Sequence, residues 1–332
     1  MNIKLKNKFK YRSTVALLAF LSLFSGAVGI IYGVTGFVML PLTSAFLAAL
    51  ICVEKRRIAS VCVSSLLIIG EILIGFLDYF TFTSLSSVLL AAIISVFYLK
   101  KMDKSESVTF STLATALIIL ISAVVYIIST TNASTLMEAY EHFVSVYNGF
   151  KESVIESVMS MTVDSQTSNA TITRESLEEV FGAYLNCIVA IVTIIAFTLI
   201  GLAHKIFRKL MIVYSEDENY ANTWRFTPYA PFAYFYFVLM IGSMFSMDTS
   251  SVISVSVLNL YLIFMLVFAY IGYGFTAFWI RTRGKSRLFS HLSVLALTLI
   301  FSSIALQILA VIGAIEITQY WKLEKFMDPT KK

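Results

Sequence analysis

The chain has 332 residues, 58% of them apolar and only 14% charged, with a mean hydropathy of +0.83, where an ordinary soluble domain is roughly 25% charged. That composition excludes a soluble globular protein, and it makes the lipid bilayer the first expected partner. The net charge of +5 does not point to nucleic acid, because the basic residues lie in the loops between apolar runs rather than on one face.

The fold class read from these runs is all-α, a polytopic transmembrane helix bundle of about nine spans in a single integral membrane domain covering 1–332. Runs long enough for a hydrocarbon core of about 30 Å fall near 13–31, 34–53, 58–77, 84–99, 109–129, 183–204, 230–247, 254–280 and 288–313. Backbone groups in lipid must be satisfied within the segment, and the alternation that a membrane barrel needs is absent, so each run is expected to be helical. The first follows "KLKNKFKYR" and contains "SGA". Its apolar character continues past that point, which reads as an uncleaved anchor rather than a removed signal. Small residues at four-residue spacing, Ser25/Gly29/Gly33 and Ala45/Ala49, would allow close helix approach.

Basic residues collect in alternate loops: five before the first span, three in "EKRR", three in "KKMDK", then Lys205, Arg208, Lys209 and Arg225, then four in "RTRGKSR". The intervening short loops hold none, so the N-terminus is expected in the cytoplasm of a multi-pass cell-membrane protein. Nine spans place the basic end "WKLEKFMDPTKK" outside. Either that end is an exception or one of 13–31 and 34–53 is re-entrant and the number is eight.

The third run carries the most informative residue. "IIGEILIGFLDYF" holds Glu71 inside apolar sequence and Asp78 seven residues later. An acid within a membrane helix is costly, about 2.5–3.5 kcal/mol at mid-bilayer, and marks a functional site by default. Glu71 lies about 9 Å from the outer end of its span at 1.5 Å per residue. Ser64, Glu71 and Asp78, at intervals of seven, share one helix face and are the candidate ligand-binding residues. Two readings stay open for Glu71: a ligand-facing or proton-linked group, and a structural carboxyl bonded to a neighbouring helix. Asp78 reads also as a solvated helix end.

Residues 130–182 form an extracytoplasmic helical insert between spans five and six, with eight acids and two bases. Leu136, Tyr140, Phe143, Tyr147, Phe150, Val154, Val158 and Met161 recur at spacings of three and four, one apolar face of an amphipathic helix. The Ser176–Glu179 stretch "SLEE" fits a capping box starting a second helix that runs into the sixth span. The segment reads either as a helix lying on the membrane or bundle surface, or as a lid over an outward-facing pocket. Asn132 and Asn169 each begin an N-x-[ST] pattern.

Cys52, Cys62 and Cys187 fall in apolar runs and read as small buried hydrophobes, not as disulfides or metal ligands. His142, His204 and His291 are far apart and read as surface or interfacial residues. No glycine-rich phosphate loop, HExxH or CxxC occurs, so no enzyme, cofactor or metal site is expected, and any energised transport would need an ion gradient or a separate partner membrane protein. Asn186, Asn259 and Gln307 are amides at depths where bridging helices is the usual role. The run "WRFTPYAPFAYFYF", with Trp279 and Trp321, reads as interfacial aromatic residues.

Several stretches resemble the YybS-like family of bacterial membrane proteins, whose activity is not established. They are Ser256–Ser286, "SVLNLYLIFMLVFAYIGYGFTAFWIRTRGKS", and the closing "LAVIGAIEITQYWKLEK", where the family's Gly, Asp and basic pair fall on Gly313, Glu316 and Lys322. At greater remove the first six spans look like the substrate-capturing S components of energy-coupling-factor transporters. That resemblance implies a small molecule held near the outer side and capped by 130–182, and a separate coupler met by Ala16, Ala19 and Ser22. The three further spans depart from it. The leading expectation is therefore a transport-related membrane protein that binds a small molecule from outside. The alternative is a non-transporting scaffold or regulator acting through its outer helix or cytoplasmic loops.

Overall fold

The computed structural model describes residues 11–75, 82–131, 135–164, 173–216, 226–245 and 251–327, and these are helical with no strand among them. The helices are α1 (Tyr11–Ile31), a 3-10 turn (Gly33–Met39), α2 (Leu40–Val53), α3 (Ile58–Gly75), α4 (Thr83–Leu99), α5 (Lys104–Thr131), α6 (Leu136–Asp164), α7 (Arg174–Asn186), α8 (Ile188–Tyr214), α9 (Ala230–Phe245), α10 (Val252–Thr282) and α11 (Arg287–Met327). Five stretches are long and apolar enough to cross a membrane: Tyr11–Ile31, Gly36–Val53, Lys104–Ser122, Ile188–Tyr214 and Val252–Thr282. Shorter apolar helices occupy the remaining expected positions. Two boundaries differ from the periodicity. The sixth run begins at Ile188 and continues to Tyr214, past His204, Lys205, Arg208 and Lys209, because a helix does not stop where its apolar content stops. The last continues to Met327 but loses helical geometry at Ser302, with φ 35° and ψ −107°.

Packing groups the chain into two compact units, one of Met1–Phe181 with Ile195–Phe226 and one of Gly182–Ile194 with Thr227–Lys332. In the first, α2 lies at the centre, touching α1, α3 and α4. Its Ala45, Leu47, Ala48, Ala49 and Leu50 are fully buried, and the small side chains let the neighbouring helices approach. Gly29 and Gly36 meet backbone to backbone: a Cβ on Gly36 would fall 1.8 Å from the Gly29 carbonyl oxygen. The interior of this unit is also rich in hydroxyls. Ser22, Ser44, Ser86, Ser95 and Ser107 are buried, and several bond to their own helix, as Ser22 to the Leu18 carbonyl at 2.7 Å and Ser44 to the Leu40 carbonyl at 2.7 Å. Such bonding satisfies the polar group without a partner helix.

The second unit is built from α9, α10 and α11 on a different principle. α10 and α11 cross through Gly272 and Gly313: a Cβ on Gly272 would sit 1.9 Å from the Leu309 carbonyl oxygen, and one on Gly313 would sit 2.1 Å from that of Phe268. Around this crossing Tyr236 stacks on Tyr261 with centroids 6.0 Å apart and meets Phe268 at 5.4 Å. Tyr236, expected in an interfacial aromatic run, is a fully buried core residue here, while Tyr234 and Phe235 of the same run remain exposed. A helix cannot present four consecutive aromatics to one environment.

The α6 helix departs from its expected face. Phe143, Tyr147, Val154 and Val158 are half-buried, but Tyr140 and Phe150 are 57% and 60% exposed. Its deeply buried side chain is Ile155, which lies off the expected stripe. The following helix starts earlier than the "SLEE" signature: α7 begins at Arg174, and Thr173 is its cap, its Oγ1 accepting the Ser176 amide at 3.2 Å. Thr173 offers the same hydroxyl three residues before Ser176, and the earlier start gains one more turn. Asn132, Asn169 and Asp78 lie outside the described residues, as do the side chains of Trp321 and Lys322.

Candidate functional site

The first four amides of any helix lack partners within it, and both α3 and α4 meet that need with a glutamate from elsewhere in the chain. Each helix is entered through a non-glycine residue in the left-handed region, Arg57 with φ 55° before α3 and Phe82 with φ 51° before α4. That conformation costs of order 1 kcal/mol or more for a residue with a Cβ. Neither entry residue can cap the helix it precedes with a hydroxyl or short carboxyl side chain. At α3, Glu54 fills the gap. Its Oε1 accepts the Ala59 amide at 2.6 Å and its Oε2 the Ser60 amide at 2.8 Å.

At α4 the same geometry is built by Glu71. Its Oε2 accepts the amides of Ser84 at 3.0 Å and Leu85 at 3.2 Å, and its Oε1 accepts the Thr83 hydroxyl at 2.9 Å. In both cases the second and third helical amides are the donors, and in both the glutamate is only 4% exposed. An acid is suited to this position twice over, as an acceptor for two amides and as a negative group at the positive end of the helix dipole. The chain therefore places a buried glutamate at each end of α3.

Of the three candidate residues on the α3 face, Glu71 is thus engaged by α4. Ser64 is half-buried and donates its hydroxyl to the Ser60 carbonyl at 2.8 Å, two turns from Glu71 on the same helix. Glu54 was invisible in the sequence because "EKRR" reads as a charged loop. The signal for it is the separation of five and six residues from two amides at the start of an apolar helix.

The histidines correct one expectation. His204 is not at a surface: it is fully buried in the first unit, with Nε2 3.4 Å from the Ser107 hydroxyl. His291 is half-buried and its Nδ1 lies 3.2 Å from the Tyr273 hydroxyl. Of the cysteines, Cys52 is buried, Cys187 is half-buried and Cys62 is exposed on its helix, and all three are free thiols. Cys62 therefore lies on the outside of its helix and not in the core. Among the described residues no cluster of three metal-ligating side chains occurs. Of the coupler-facing candidates, Ala16 is exposed and Ala19 half-buried, but Ser22 is buried with its hydroxyl bonded within α1.

In the second unit, Asn259 of α10 acts across the joint between α7 and α8. Its Oδ1 accepts the Ala190 amide at 2.8 Å, and its Nδ2 donates to the Asn186 carbonyl at 2.7 Å and to the Val255 carbonyl at 2.8 Å. The side-chain amide supplies partners to backbone groups that the helix break at Cys187 leaves without them. Asn186 takes part through its backbone, not its side chain. Gln307 is exposed on its helix. Glu316, noted in the sequence only through the closing pattern, has a buried Oε2 with no hydrogen-bond partner among the described residues.

Comparison with known proteins adds no relative: no family model, no curated protein and no solved structure matches the chain.

Proposed function

We propose that the chain is a multi-pass membrane protein with a cytoplasmic N-terminus, and that it works as a non-transporting scaffold or regulator through its outer helical segment and its cytoplasmic loops. About nine spans and an extracytoplasmic insert at 130–182 belong to this reading. The observation that carries it is the engagement of Glu71. The intramembrane acid that most invites a ligand is committed on both oxygens to the N-terminus of α4, which is a holding role. By contrast, α6 leaves apolar side chains open: Tyr140, Val146 and Phe150 are each more than half exposed, Phe150 with only an edge contact to the Phe181 ring.

A second reading keeps the transport-related role, with a small molecule entering from outside, capped by 135–182 and meeting the Ser64, Glu71 and Asp78 face. One observation favours it. The hydroxyl of Ser84, whose amide bonds Glu71, is itself buried without a hydrogen-bond partner among the described residues, a polar atom that a bound ligand could satisfy.

Native mass spectrometry on gently purified wild type, Glu71→Gln and Tyr140→Ser/Phe150→Ser separates the two. The scaffold reading expects a partner chain retained by wild type and Glu71→Gln and lost from the outer pair. A small molecule held by wild type and lost from Glu71→Gln alone would replace it with the transport reading.

A further inference from the structure

The second unit holds a cleft of about 140 Å³ where α10 ends and α11 begins. Its one flank is α10, with Gly274, Ala277 and Phe278 giving an apolar floor, and its rim and opposite wall carry Arg281, Arg287, Ser290 and His291. Among the described residues the two guanidinium groups have no carboxylate partner. From residue 249 to residue 315 the sequence contains no Asp or Glu, and among the described residues no ion pair is formed by Arg281, Arg283, Lys285 or Arg287. The positions of the neighbouring cations are instead set by rings. Arg281 lies 5.7 Å from the Phe278 ring centroid, Arg283 lies 3.6 Å over Trp279, and Lys285 lies 5.6 Å from Phe289. His291 is fixed by its 3.2 Å contact with the Tyr273 hydroxyl, which donates in turn to the His291 backbone carbonyl at 3.2 Å.

These features select an anion, and among anions a tetrahedral oxyanion. Uncompensated arginines beside a concave, half-apolar surface recruit negative charge, and the planar guanidinium fork matches phosphate oxygens with paired donors. The volume is far below the roughly 300–1,000 Å³ of a pocket that encloses a drug-sized ligand, so it takes a headgroup fragment and not a nucleotide. Below the cleft the surface is apolar and exposed: Tyr270 and Phe278 on α10, Leu292, Leu295 and Leu299 on α11. Trp279, with its ring half-exposed, marks the same level as an interface between apolar and aqueous surroundings.

We propose that this cleft is a binding site for the phosphate of an anionic lipid headgroup, with Arg281 and Arg287 holding the phosphate and the acyl chains lying along the exposed α10 and α11 surfaces. Free inorganic phosphate shares the headgroup chemistry but gains nothing from the apolar surface below. Basic pockets between membrane helices bind headgroups in this manner.

The test uses the full chain in nanodiscs of phosphatidylcholine containing a minor fraction of phosphatidylglycerol, with lipid retained after detergent extraction read by native mass spectrometry. Wild type is expected to retain phosphatidylglycerol at least tenfold above its share of the bilayer. Arg281→Gln/Arg287→Gln is expected to lose that enrichment, while the charge-matched control Lys205→Gln/Lys209→Gln keeps it. Arg281→Lys/Arg287→Lys, which preserves charge and serves if the neutral variant misfolds, is expected to lose at least threefold because paired donation is gone. Inorganic phosphate at millimolar concentration is expected to lower retention only weakly. Equal loss in the control pair, or full retention in the lysine variant, would overturn the site in favour of diffuse surface charge. Phosphate binding that the lipid does not compete with would overturn the assignment to a headgroup.

Discussion

Glu71 of α3 and Ser84 of α4 face each other: the carboxyl oxygen of the first accepts the backbone amide of the second at 3.0 Å. Removing the acceptor leaves the α4 amides of Ser84 and Leu85 buried without it. Loss of a cap costs about 1 kcal/mol, and a buried donor left unsatisfied costs about 1–3 kcal/mol. Glu71→Ala should therefore lower unfolding stability by about 2–3 kcal/mol. Glu71→Gln, which keeps one carbonyl oxygen, should lose less. Chemical unfolding in mixed micelles, monitored by circular dichroism, measures both.

Glu54 repeats the arrangement at the other end of α3, its carboxylate on the Ala59 and Ser60 amides and so roughly 17 Å along the helix from Glu71 at a rise of about 1.5 Å per residue. Sites that far apart with no shared partner behave independently. The losses for Glu54→Ala and Glu71→Ala should add to within about 0.5 kcal/mol in the double variant. A coupling larger than that would mean α3 transmits strain between its ends.

The crossing of α10 and α11 allows no side chain at Gly272 or Gly313, since a Cβ at either would fall about 2 Å from a carbonyl oxygen of the other helix. The backbones must then move apart, and overpacking of this kind costs about 1–3 kcal/mol. Gly272→Ala and Gly313→Ala should each destabilise the second unit and should together cost less than the sum, because the first separation makes room for the second methyl. Gly274→Ala, with nothing near its Cβ, is the control and should be neutral within about 0.5 kcal/mol.

At Asn259, replacement by Leu removes an acceptor from the Ala190 amide and a donor from the Asn186 carbonyl. The two stranded backbone groups together should cost about 2–4 kcal/mol. Hydrogen exchange should show the loss first at Ala190, as faster exchange at a joint that α8 alone cannot close.

Tyr147 on α6 donates its hydroxyl to the Phe181 carbonyl and packs edge-on against the Phe181 ring at 6.4 Å. Burial pushes this phenol above its ordinary value of 10.0. The folded state thus holds the proton more tightly than the unfolded one, so the contact contributes fully below the ordinary tyrosine value and fades as pH rises through the raised one. A difference titration of wild type against Tyr147→Phe should show a tyrosinate midpoint above that of an exposed tyrosine. A midpoint at or below it would mean the phenol is not held by Phe181.

The apolar runs were legible because a helix in lipid is forced by backbone hydrogen bonding, and apolar helices lie at the expected positions, although the sixth run is divided at Cys187 and the last at Ser302. What the sequence hid was partnership. Glu71 stood out as an acid in an apolar helix, but its amide partners lie 13 and 14 residues on, just past a left-handed Phe82 that has no sequence signature. Glu54 did not stand out, because a charged loop looks solvated. Asn259 was recognisable as a bridging amide, yet the groups it bridges are some 70 residues earlier, and only packing brings them together. Gly272 and Gly313 are legible only as a pair, since the close approach is between helices and not along one. The amphipathic stripe of α6 was correct in period and misplaced in phase, because which side chain is buried depends on what packs against it.

Photo-crosslinking from Phe150 in intact membranes asks whether the outer segment meets a protein partner. With a photoreactive residue at that exposed position, one discrete protein adduct is expected, present equally in a Glu71→Gln background and absent when the probe replaces the buried Ile155. Lipid or intrachain adducts alone, together with an adduct pattern that changes in Glu71→Gln, would contradict it and make Glu71 part of a ligand site that the outer helix covers.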